Sequence, residues 1–480
     1  MKNKYLAILA SVLLGTMVSV SFTGCSSENN STSGSETTVN TNGGSSASSF
    51  TGSAEGVINT TSICTDRDLE QTADLAGATN YTVTDGEGIS ITEEGVYVLT
   101  GTASNVTVTV ECEDENAKVQ IVLNGVSITN DSAPVIYVKA ADKVFVTTAE
   151  GTESNLAVTG EFTADGDTNT DAVIFSKDDI VLNGLGTLTI DSTDNAVSGK
   201  DDIKVTGGSY VFNVTGHGLE ANDHIYFIDG TMEVTASADG FHCENDEDDT
   251  VGIIYVAGGN ITVSAKDDGL HGQAVVQIDG GTINITAGEG IESTYVQIND
   301  GDITISATDD GINAGSKSSS YDVVIEINGG SLAIDMGSGD TDALDTNGSL
   351  YINGGTVDIT AQFAFDFDKE AQLNGGTVTV NGEEVTEITE SMQMGGGMGG
   401  PGGNFNQGGT EGSADGGETF DGEMPSGEFT PGEMPSGEFT PGEMPSGEFT
   451  PGEDGNFREG GRGGRDGGKM QMQDSTAENS

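Results

Sequence analysis

The fold is decided by a repeat that is clearest in residues 281–313, GTINITAGEGIESTYVQINDGDITISATDDGIN. Glycines are followed by alternating β-branched residues in 281–285 and again in 301–305. Alternation with a period of two is typical of short β-strands that have one buried face. The phrase recurs between residues 183 and 380 at intervals of 20 to 29 residues, and 20 to 22 residues is the basic unit.

Each unit also carries a second phrase, in which an acidic, a small, an apolar and a polar residue follow one another. Residues 239–242, 268–271, 289–292 and 310–313 are examples, and a third short apolar strand usually comes next. Three short strands per unit predict an all-β parallel β-helix whose coils stack about 4.8 Å apart. A β-propeller would need about 40 residues per unit. We expect about 12 coils between about residues 80 and 385, with residues 57–80 capping the N-terminal end.

The two ends of the chain do not share this pattern. Residues 1–24 have two early lysines and an apolar run, which predict an export signal. The small residues before Cys25 are similar to a lipobox, so Cys25 is predicted to carry a lipid anchor. Residues 25–56 are predicted to be a flexible Ser/Thr/Gly tether. Residues 392–480, which contain the unit GEMPSGEFTP three times, are predicted to be disordered. The remaining segment, 57–391, is the predicted β-helix domain.

Charge and cysteine content limit the partners. The formal net charge is −62, which disfavours nucleic acid and anionic membrane surfaces. Cys64, Cys112 and Cys243 remain after the predicted lipidated cysteine. Their odd number allows at most one intrachain disulfide, for which Cys64 and Cys112 are candidates.

Stacking of the coils predicts two columns of polar residues. The first contains Asp239, Asp268, Glu289, Asp310 and Asp342, and the second contains His242, His271, Glu292, Asn313 and Asp345. Two like charges 5 Å apart repel by about 0.8 kcal/mol in water and about 3 kcal/mol at an effective dielectric of 20. A bound cation would relieve this repulsion, and oxygen ligands at this spacing suit calcium. The alternative is that the Asp-Gly pairs are simply turn residues. Zinc is disfavoured because no two histidines lie close together within one coil.

The predicted calcium ligands are acidic residues of the two columns, their acidic neighbours and the acidic loop at 244–249. They are Asp239, Glu244, Asp246, Asp248, Asp267, Asp268, Glu289, Glu292, Asp309, Asp310, Asp342 and Asp345.

The segments 119–128, 133–139, 172–179 and 198–202, together with the Asp-Gly units, resemble the bacterial β-helix carbohydrate-binding family, a cellulose- and pectin-binding family with a pectate-lyase-like fold. The resemblance implies a right-handed helix containing calcium, which binds plant cell-wall polysaccharide without cleaving it. On this basis the expected carbohydrate-binding residues are Lys177, Lys200, Asp201, Asp202, His217, His242, His271 and Tyr255. The chain has no tryptophan, so tyrosines would have to supply any stacking platform.

Two enzymatic alternatives remain open from the sequence. A polysaccharide lyase needs a basic residue, for which Lys177, Lys200, Lys204 and Lys266 are candidates. A polygalacturonase-like hydrolase needs paired carboxylates, and the motifs at 169–171, 201–202 and 216–218 occur in the matching order. The basic motif that should follow them is missing. The sequence therefore favours a non-catalytic, monomeric polysaccharide-binding lipoprotein on the outer face of the cell membrane, with an enzyme or a protein-binding adhesin as alternatives.

Overall fold

The computed structural model describes residues 56–337 and 341–389. This part of the chain forms β-strands and contains no α-helix, so none of it is a helix that could span a membrane. The prediction of an all-β fold is confirmed. The predicted signal peptide with Cys25, the tether up to residue 55 and the tail from residue 392 lie outside the described residues.

In chain order the strands are β1 Thr79–Thr82, β2 Ile89–Ile91, β3 Gly95–Ser104, β4 Val108–Glu111, β5 Lys118–Asn130, β6 Ile136–Ala140, β7 Lys143–Thr148, β8 Glu153–Val158, β9 Ala172–Ser176, β10 Asp179–Gly184, β11 Thr187–Ser192, β12 Asn195–Gly199, β13 Asp202–Val205, β14 Ser209–Val214, β15 Leu219–Ala221, β16 His224–Phe227, β17 Thr231–Thr235, β18 Phe241–Cys243, β19 Ile253–Val256, β20 Asn260–Ser264, β21 Asp268–Gly272, β22 Val275–Ile278, β23 Thr282–Ala287, β24 Glu289–Ser293, β25 Tyr295–Ile298, β26 Asp302–Ala307, β27 Ile312–Ala314, β28 Val324–Ile327, β29 Ser331–Met336, β30 Asp342–Thr346, β31 Ser349–Ile352, β32 Thr356–Thr360, β33 Phe363–Phe367, β34 Ala371–Leu373, β35 Thr377–Val380 and β36 Glu383–Val385.

The strands pair in parallel with a constant offset along the chain. From β10 to β32 each strand pairs with the strand three positions later, as in β10 with β13, β11 with β14 and β12 with β15, and only the last strand, β36, pairs antiparallel with β35 among the described strands. This offset means three strands per coil, which is the arrangement of a parallel β-solenoid. The strands form a 24-stranded sheet, here called sheet A, and a 12-stranded sheet, called sheet B. The twelve strands of sheet B agree with the expected number of coils, while the handedness of the coils stays a prediction.

Inside the solenoid, apolar side chains of equivalent positions lie on top of one another. On sheet B this stack is fully buried from Leu219 to Leu344, and its members are Leu219, Phe241, Leu270, Ile291, Ile312 and Leu344. Burying each side chain of this size contributes about 1.5–3 kcal/mol. The apolar residue of every acidic–small–apolar–polar phrase therefore points into the core, and the polar residues on either side of the phrase are placed on the outer surface of sheet B.

The glycine of the Asp-Gly phrase is required by close packing between coils. A Cβ atom on Gly269 would lie 2.5 Å from the carbonyl oxygen of Gly290, and one on Gly290 would lie 2.3 Å from that of Gly311. The glycines at the start of β23 and β26 differ, because Gly281 and Gly301 have φ angles of +99° and +123°. The Asp-Gly pairs thus belong to the stacked wall of sheet B. The interpretation of these pairs as ordinary turn residues does not explain the close contacts of their glycines with the next coil.

Residues 56–71 form an extended segment, here called the strap, along the outer face of sheet A. The backbone N–H of Val57 donates to Oε1 of Gln297 at 3.1 Å, and Nε2 of Gln71 donates to the carbonyl oxygen of Thr206 at 2.9 Å. Within the strap, the carboxylate of Asp68 forms an ion pair with the ammonium group of Lys143, at 3.1 Å. We expected residues 57–80 to cover the N-terminal end; the strap lies along the side instead, and only β1 adds to the end, by pairing with β3.

The cysteines do not cross-link the solenoid. Cys64, Cys112 and Cys243 are all free, so the candidate pairing of Cys64 with Cys112 is not formed. Cys112 and Cys243 are buried. In the described part of the chain, stability therefore comes from stacked strands and their core.

Candidate functional site

Two columns of polar side chains run along the outer face of sheet B, and we call them together the double column. In the second column His242 pairs with His271, His271 with Glu292, Glu292 with Asn313 and Asn313 with Asp345. The predicted register of this column is confirmed, and pairing extends it to Glu220, Asp366 and Ser198.

The first column lies three residues earlier in each coil. Asp268 pairs with Glu289, the backbone N–H of Asp268 donates to Oδ1 of Asp239 at 2.8 Å, and the backbone N–H of Asp342 donates to Oδ1 of Asp310 at 3.1 Å. The predicted stacking of these residues is therefore also present in the structure. The first column continues one coil further toward the N-terminus at His217. The backbone N–H of Gly218, the residue after His217, donates to the carbonyl oxygen of Asp239, just as the N–H of Gly240 donates to that of Asp268.

Three imidazoles stack in the N-terminal part of the double column. The ring centroids of His217 and His242 are 4.5 Å apart, and those of His242 and His271 are 4.7 Å apart. Nδ1 of His242 lies 2.7 Å from Oδ2 of Asp239, and Nδ1 of His217 lies 3.2 Å from the same oxygen. We call His217, Asp239, His242, Asp268, His271 and Glu292 the histidine segment.

Histidines and carboxylates neutralise one another in this segment. Burial opposes the charge of Asp239, but hydrogen bonds from His217, His242 and the Asp268 N–H outweigh it and hold the pKa of Asp239 far below its usual range. Burial also opposes the His271 imidazolium, yet its contacts with Asp268 at 2.7 Å and Glu292 at 2.9 Å raise the pKa of His271 to about 10. Asp239 was predicted to bind calcium; both of its oxygens are instead occupied by nitrogen donors.

Glu289 and Glu292 mark the coil where this balance changes. Hydrogen bonds from His271 and Lys317 overcome burial and lower the pKa of Glu292 to about 2, with Lys317 Nζ 2.8 Å from Glu292. Glu289 receives only a hydrogen bond from the Asn313 amide, at 3.1 Å. Burial, followed by the charges of Glu292 and Asp268, raises the pKa of Glu289 to about 8.

The C-terminal part of the double column consists mainly of carboxylates. We call Glu289, Asp310, Asp342, Asp345 and Asp366 the carboxylate segment. Among the described residues, no lysine, arginine or histidine lies within ion-pair distance of Asp310, Asp345 or Asp366. Burial, then the charges of Asp310 and Asp366, raises the pKa of Asp345 to about 7. Such a row of oxygens can bind a hard cation.

Most of the acidic neighbours predicted as calcium ligands are not brought into the columns. Asp246 is exposed, and Asp248 is exposed and accepts hydrogen bonds from Thr250. Asp267 and Asp309 are also exposed. Of the acidic loop at 244–249, Glu244 reaches the double column, where its Oε2 lies 3.5 Å from Nε2 of His242.

The predicted carbohydrate-binding residues are divided between two faces. His217, His242 and His271 lie on sheet B, and Lys200 is close by, with Nζ 3.9 Å from Glu220. Lys177 is exposed and forms no ion pair.

Other members of that predicted set lie on sheet A. Asp202 in β13 contacts Nδ1 of His224 at 2.7 Å and Nζ of Lys204 at 3.3 Å, and Asp201 is its neighbour in the chain. Tyr255 is 2% exposed, with its hydroxyl 2.9 Å from Asp279. The prediction that Tyr255 is an outward sugar-binding residue is therefore wrong, because the strap lies over this part of sheet A.

The structure does not bring the three hydrolase motifs together. Asp171 is buried next to β9 of sheet B, whereas Asp202 lies on sheet A. His217 contacts Asp239, which lies in none of these motifs. Lys204 is 6% exposed and is held between Asp179 and Asp202, so it cannot reach a polymer on the surface.

Some residues of the double column were not predicted to belong to it. His217 and Glu220 could have been found by counting the register back by one coil, from Phe241 to Leu219. Lys317 could not have been found, because it lies in the longer connection between β27 and β28, where the repeat is interrupted. Asp366 is missed because β33 replaces the Asp-Gly-Ile phrase with the sequence FAFDF.

Comparison with known proteins identifies the class to which this β-solenoid belongs. A family model described as "Carbohydrate-binding domain-containing protein" matches residues 85–343. A relative from Acetivibrio thermocellus with the same description is 31% identical over 203 residues, covering 42% of this chain and 71% of the relative. The chain therefore belongs to the carbohydrate-binding domain-containing protein family.

A solved structure is also similar. It is described as a polysaccharide lyase-like protein from C. thermocellum in a gadolinium derivative. It shares 27% identity and covers 47% of this chain and 96% of its own, with a TM-score of 0.40.

Proposed function

We propose that this protein binds acidic plant cell-wall polysaccharide, such as pectin or polygalacturonate, without cleaving it, and that calcium joins the polymer to the carboxylate segment. The observation that carries the proposal is the row of stacked carboxylates from Glu289 to Asp366, in which Asp310, Asp345 and Asp366 have no lysine, arginine or histidine within ion-pair distance among the described residues. Membership of a carbohydrate-binding family supports the polysaccharide as ligand.

The residues present fit a calcium ion. Calcium takes six to eight oxygen ligands and tolerates irregular geometry. Asp310, Asp342 and Asp345 come from adjacent coils about 4.8 Å apart, so each pair of coils can contribute two or more carboxylates. Burial, followed by the charges of Asp310 and Asp366, raises the pKa of Asp345 to about 7, and a bound cation would favour its ionised form. A uronate carboxylate would supply further oxygens to the same ion.

The direction of the columns favours an extended polymer. They run along the solenoid axis, so a chain lying on sheet B would meet a new pair of side chains about every 5 Å. Cellulose is the weaker candidate, because it is uncharged and Tyr255 is not available for stacking. Separation of the hydrolase motifs and burial of Lys204 favour binding over cleavage.

The predicted lipid anchor at Cys25 is part of the same proposal. It would hold a monomer at the outer face of the bacterial membrane, where calcium at its extracellular concentration can fill sites with dissociation constants of about 10⁻⁴ to 10⁻³ M. Palmitate labelling of the protein in its host, with Cys25→Ser as control, tests the anchor independently of the ligand.

Retention on immobilised polygalacturonate with calcium or with EDTA tests the binding function. We expect calcium-dependent retention without release of unsaturated uronates or new reducing ends. The double variant Asp310→Asn/Asp345→Asn should lose the calcium dependence. The matched control Asp302→Asn/Asp335→Asn removes two exposed carboxylates from sheet A and should be retained like the wild type. Release of unsaturated products would make the protein a lyase, and equal retention of both double variants would rule out the carboxylate segment.

A further inference from the structure

The histidine segment offers nitrogen ligands that calcium does not prefer. Three of the four histidines in the chain stack in adjacent coils of sheet B. His217 and His242 are each about a fifth exposed, so solvent reaches them. Ligand atoms of His217, Asp239 and His242 all lie within 4.8 Å of one another.

Asp239 orients both imidazoles. Its Oδ2 lies 2.7 Å from Nδ1 of His242 and 3.2 Å from Nδ1 of His217, and its Oδ1 accepts the Asp268 N–H at 2.8 Å. The backbone N–H of Asp239 also lies 3.2 Å from Nδ1 of His217. Asp239 is only 4% exposed, so it is a fixed anchor beneath the two rings. A carboxylate on one ring nitrogen leaves the other, Nε2, to bind a metal, which is the usual arrangement behind metal-binding histidines.

We propose that His217 and His242 bind a divalent transition-metal ion of the zinc class through their Nε2 atoms, with Glu244 as a third ligand and Asp239 as the positioning residue.

The dimensions of the cluster suit such an ion after a small movement. Zinc–nitrogen distances of about 2.0–2.1 Å place two ligand nitrogens of a tetrahedral site about 3.4 Å apart. The ring centroids are 4.5 Å apart and the ring planes are inclined by 31°, so a change in ring orientation would direct both Nε2 atoms at one ion. Glu244 Oε2 lies 3.5 Å from Nε2 of His242, on an exposed loop that can follow this movement. Imidazole and carboxylate ligands together suit zinc, copper or nickel better than calcium.

His271 does not complete the site, although it stacks on His242. Its Nδ1 is shared between Asp268 and Glu292, which hold it as a cation between two carboxylates. His224 provides a matched control elsewhere in the chain. Its Nδ1 lies 2.7 Å from Asp202, as His242 lies from Asp239, but its ring stacks on Tyr226 instead of on a second imidazole.

The test is titration of the purified, EDTA-treated protein with Zn²⁺ by calorimetry and with Co²⁺ by visible absorption. We expect one equivalent to bind, with the intense absorption of tetrahedral Co²⁺. His217→Gln and His242→Gln should each abolish binding, Asp239→Asn should weaken it by about 10- to 100-fold, and His224→Gln should bind like the wild type. Circular dichroism of each variant checks that it is folded.

Absence of Zn²⁺ binding to the wild type, or unchanged binding by His242→Gln, would overturn the proposal. Prior saturation with Ca²⁺ should leave the Zn²⁺ titration unchanged, because the two ions use different segments. This result does not depend on polysaccharide binding, so the zinc site and the proposed function can fail separately.

Discussion

The two halves of the double column have the same backbone and opposite electrostatics. In the histidine segment each carboxylate contacts an imidazole or a lysine, and Asp239 and Glu292 have lowered pKa values. In the carboxylate segment, which begins in the coil of Glu289 and Glu292, Asp310 and Asp345 have raised pKa values and no basic partner in the described structure. A solenoid can therefore change the chemistry of one surface from coil to coil without changing its fold.

This difference has a thermodynamic meaning. A buried carboxylate that has a partner stabilises the folded state, and removing one member of the pair leaves the other uncompensated. Stacked carboxylates without partners destabilise it until a cation arrives. The histidine segment should thus be needed for folding, while the carboxylate segment should be kept for binding.

Truncation of one aspartate in each half tests this difference in stability most directly. Asp239→Ala should lower the free energy of unfolding by about 3–5 kcal/mol, because His217, His242 and the Asp268 N–H all lose their acceptor. Asp345→Ala should change it by less than about 1 kcal/mol, since no ion pair is lost. Urea unfolding in EDTA near neutral pH measures both. Equal losses would show that the two halves do not differ in this way.

The pH dependence of stability distinguishes Glu289 and Asp345 from Glu292 by its sign. Glu289 has a pKa of about 8 in the folded protein, so between about pH 4.5 and 8 the folded state holds a proton that the unfolded state has lost. Stability should therefore fall as the pH rises through this window in EDTA. Asp345, with a pKa of about 7, acts in the same direction. Glu292, with a pKa of about 2, acts oppositely, and its contribution is lost as the pH falls from about 4.5 toward 2.

Melting temperatures recorded from about pH 5 to 6.5 measure the contribution of Glu289 and Asp345 when the wild type is compared with the double variant Glu289→Gln/Asp345→Asn. Asp171, Asp201 and Asp268, whose pKa values are raised to about 6, act in the same direction in this range and remain in both proteins. The stabilising charge of His271 begins to be lost only above about pH 6.5, where the unfolded imidazole deprotonates. The double variant should therefore have a smaller slope than the wild type, and saturating calcium should reduce the slope of the wild type. An undiminished slope in the double variant would mean that Glu289 and Asp345 do not contribute to it.

How far the sequence predicts this surface depends on repetition. Ile291, Ile312 and Leu344 have the same place in successive phrases, so the apolar stack, the two polar columns and the spacing of three residues between the columns follow from the pattern alone. The strap does not repeat, so burial of Tyr255 and the role of Asp68 at Lys143 were invisible. The pattern also left the role of the Asp-Gly glycines open, because their close contacts come from the neighbouring coil.

Pairing of charges across coils was harder to predict for a related reason. The sequence disfavours a zinc site because no histidine has a second histidine nearby within its own coil. In the structure the relevant distance is between coils, and His217 and His242 meet although 25 residues separate them in the chain. For a solenoid, the sequence has to be read down the columns before a metal site can be excluded.

The smallest change that sharpens the comparison is Asn313→His. It places an imidazole three residues after Asp310, the spacing that joins His242 to Asp239 and His271 to Asp268. If spacing alone decides the pairing, the new ring contacts Asp310, and the free energy of unfolding in EDTA rises by about 1 kcal/mol. The same contact should weaken calcium-dependent retention on polygalacturonate, since Asp310 then has a competing partner. Asn284→His, on an exposed position of β23 in sheet A, controls for the added imidazole. Greater stability with undiminished calcium-dependent retention would separate the two effects, and it would place the calcium ligands nearer to Asp345 and Asp366 than to Asp310.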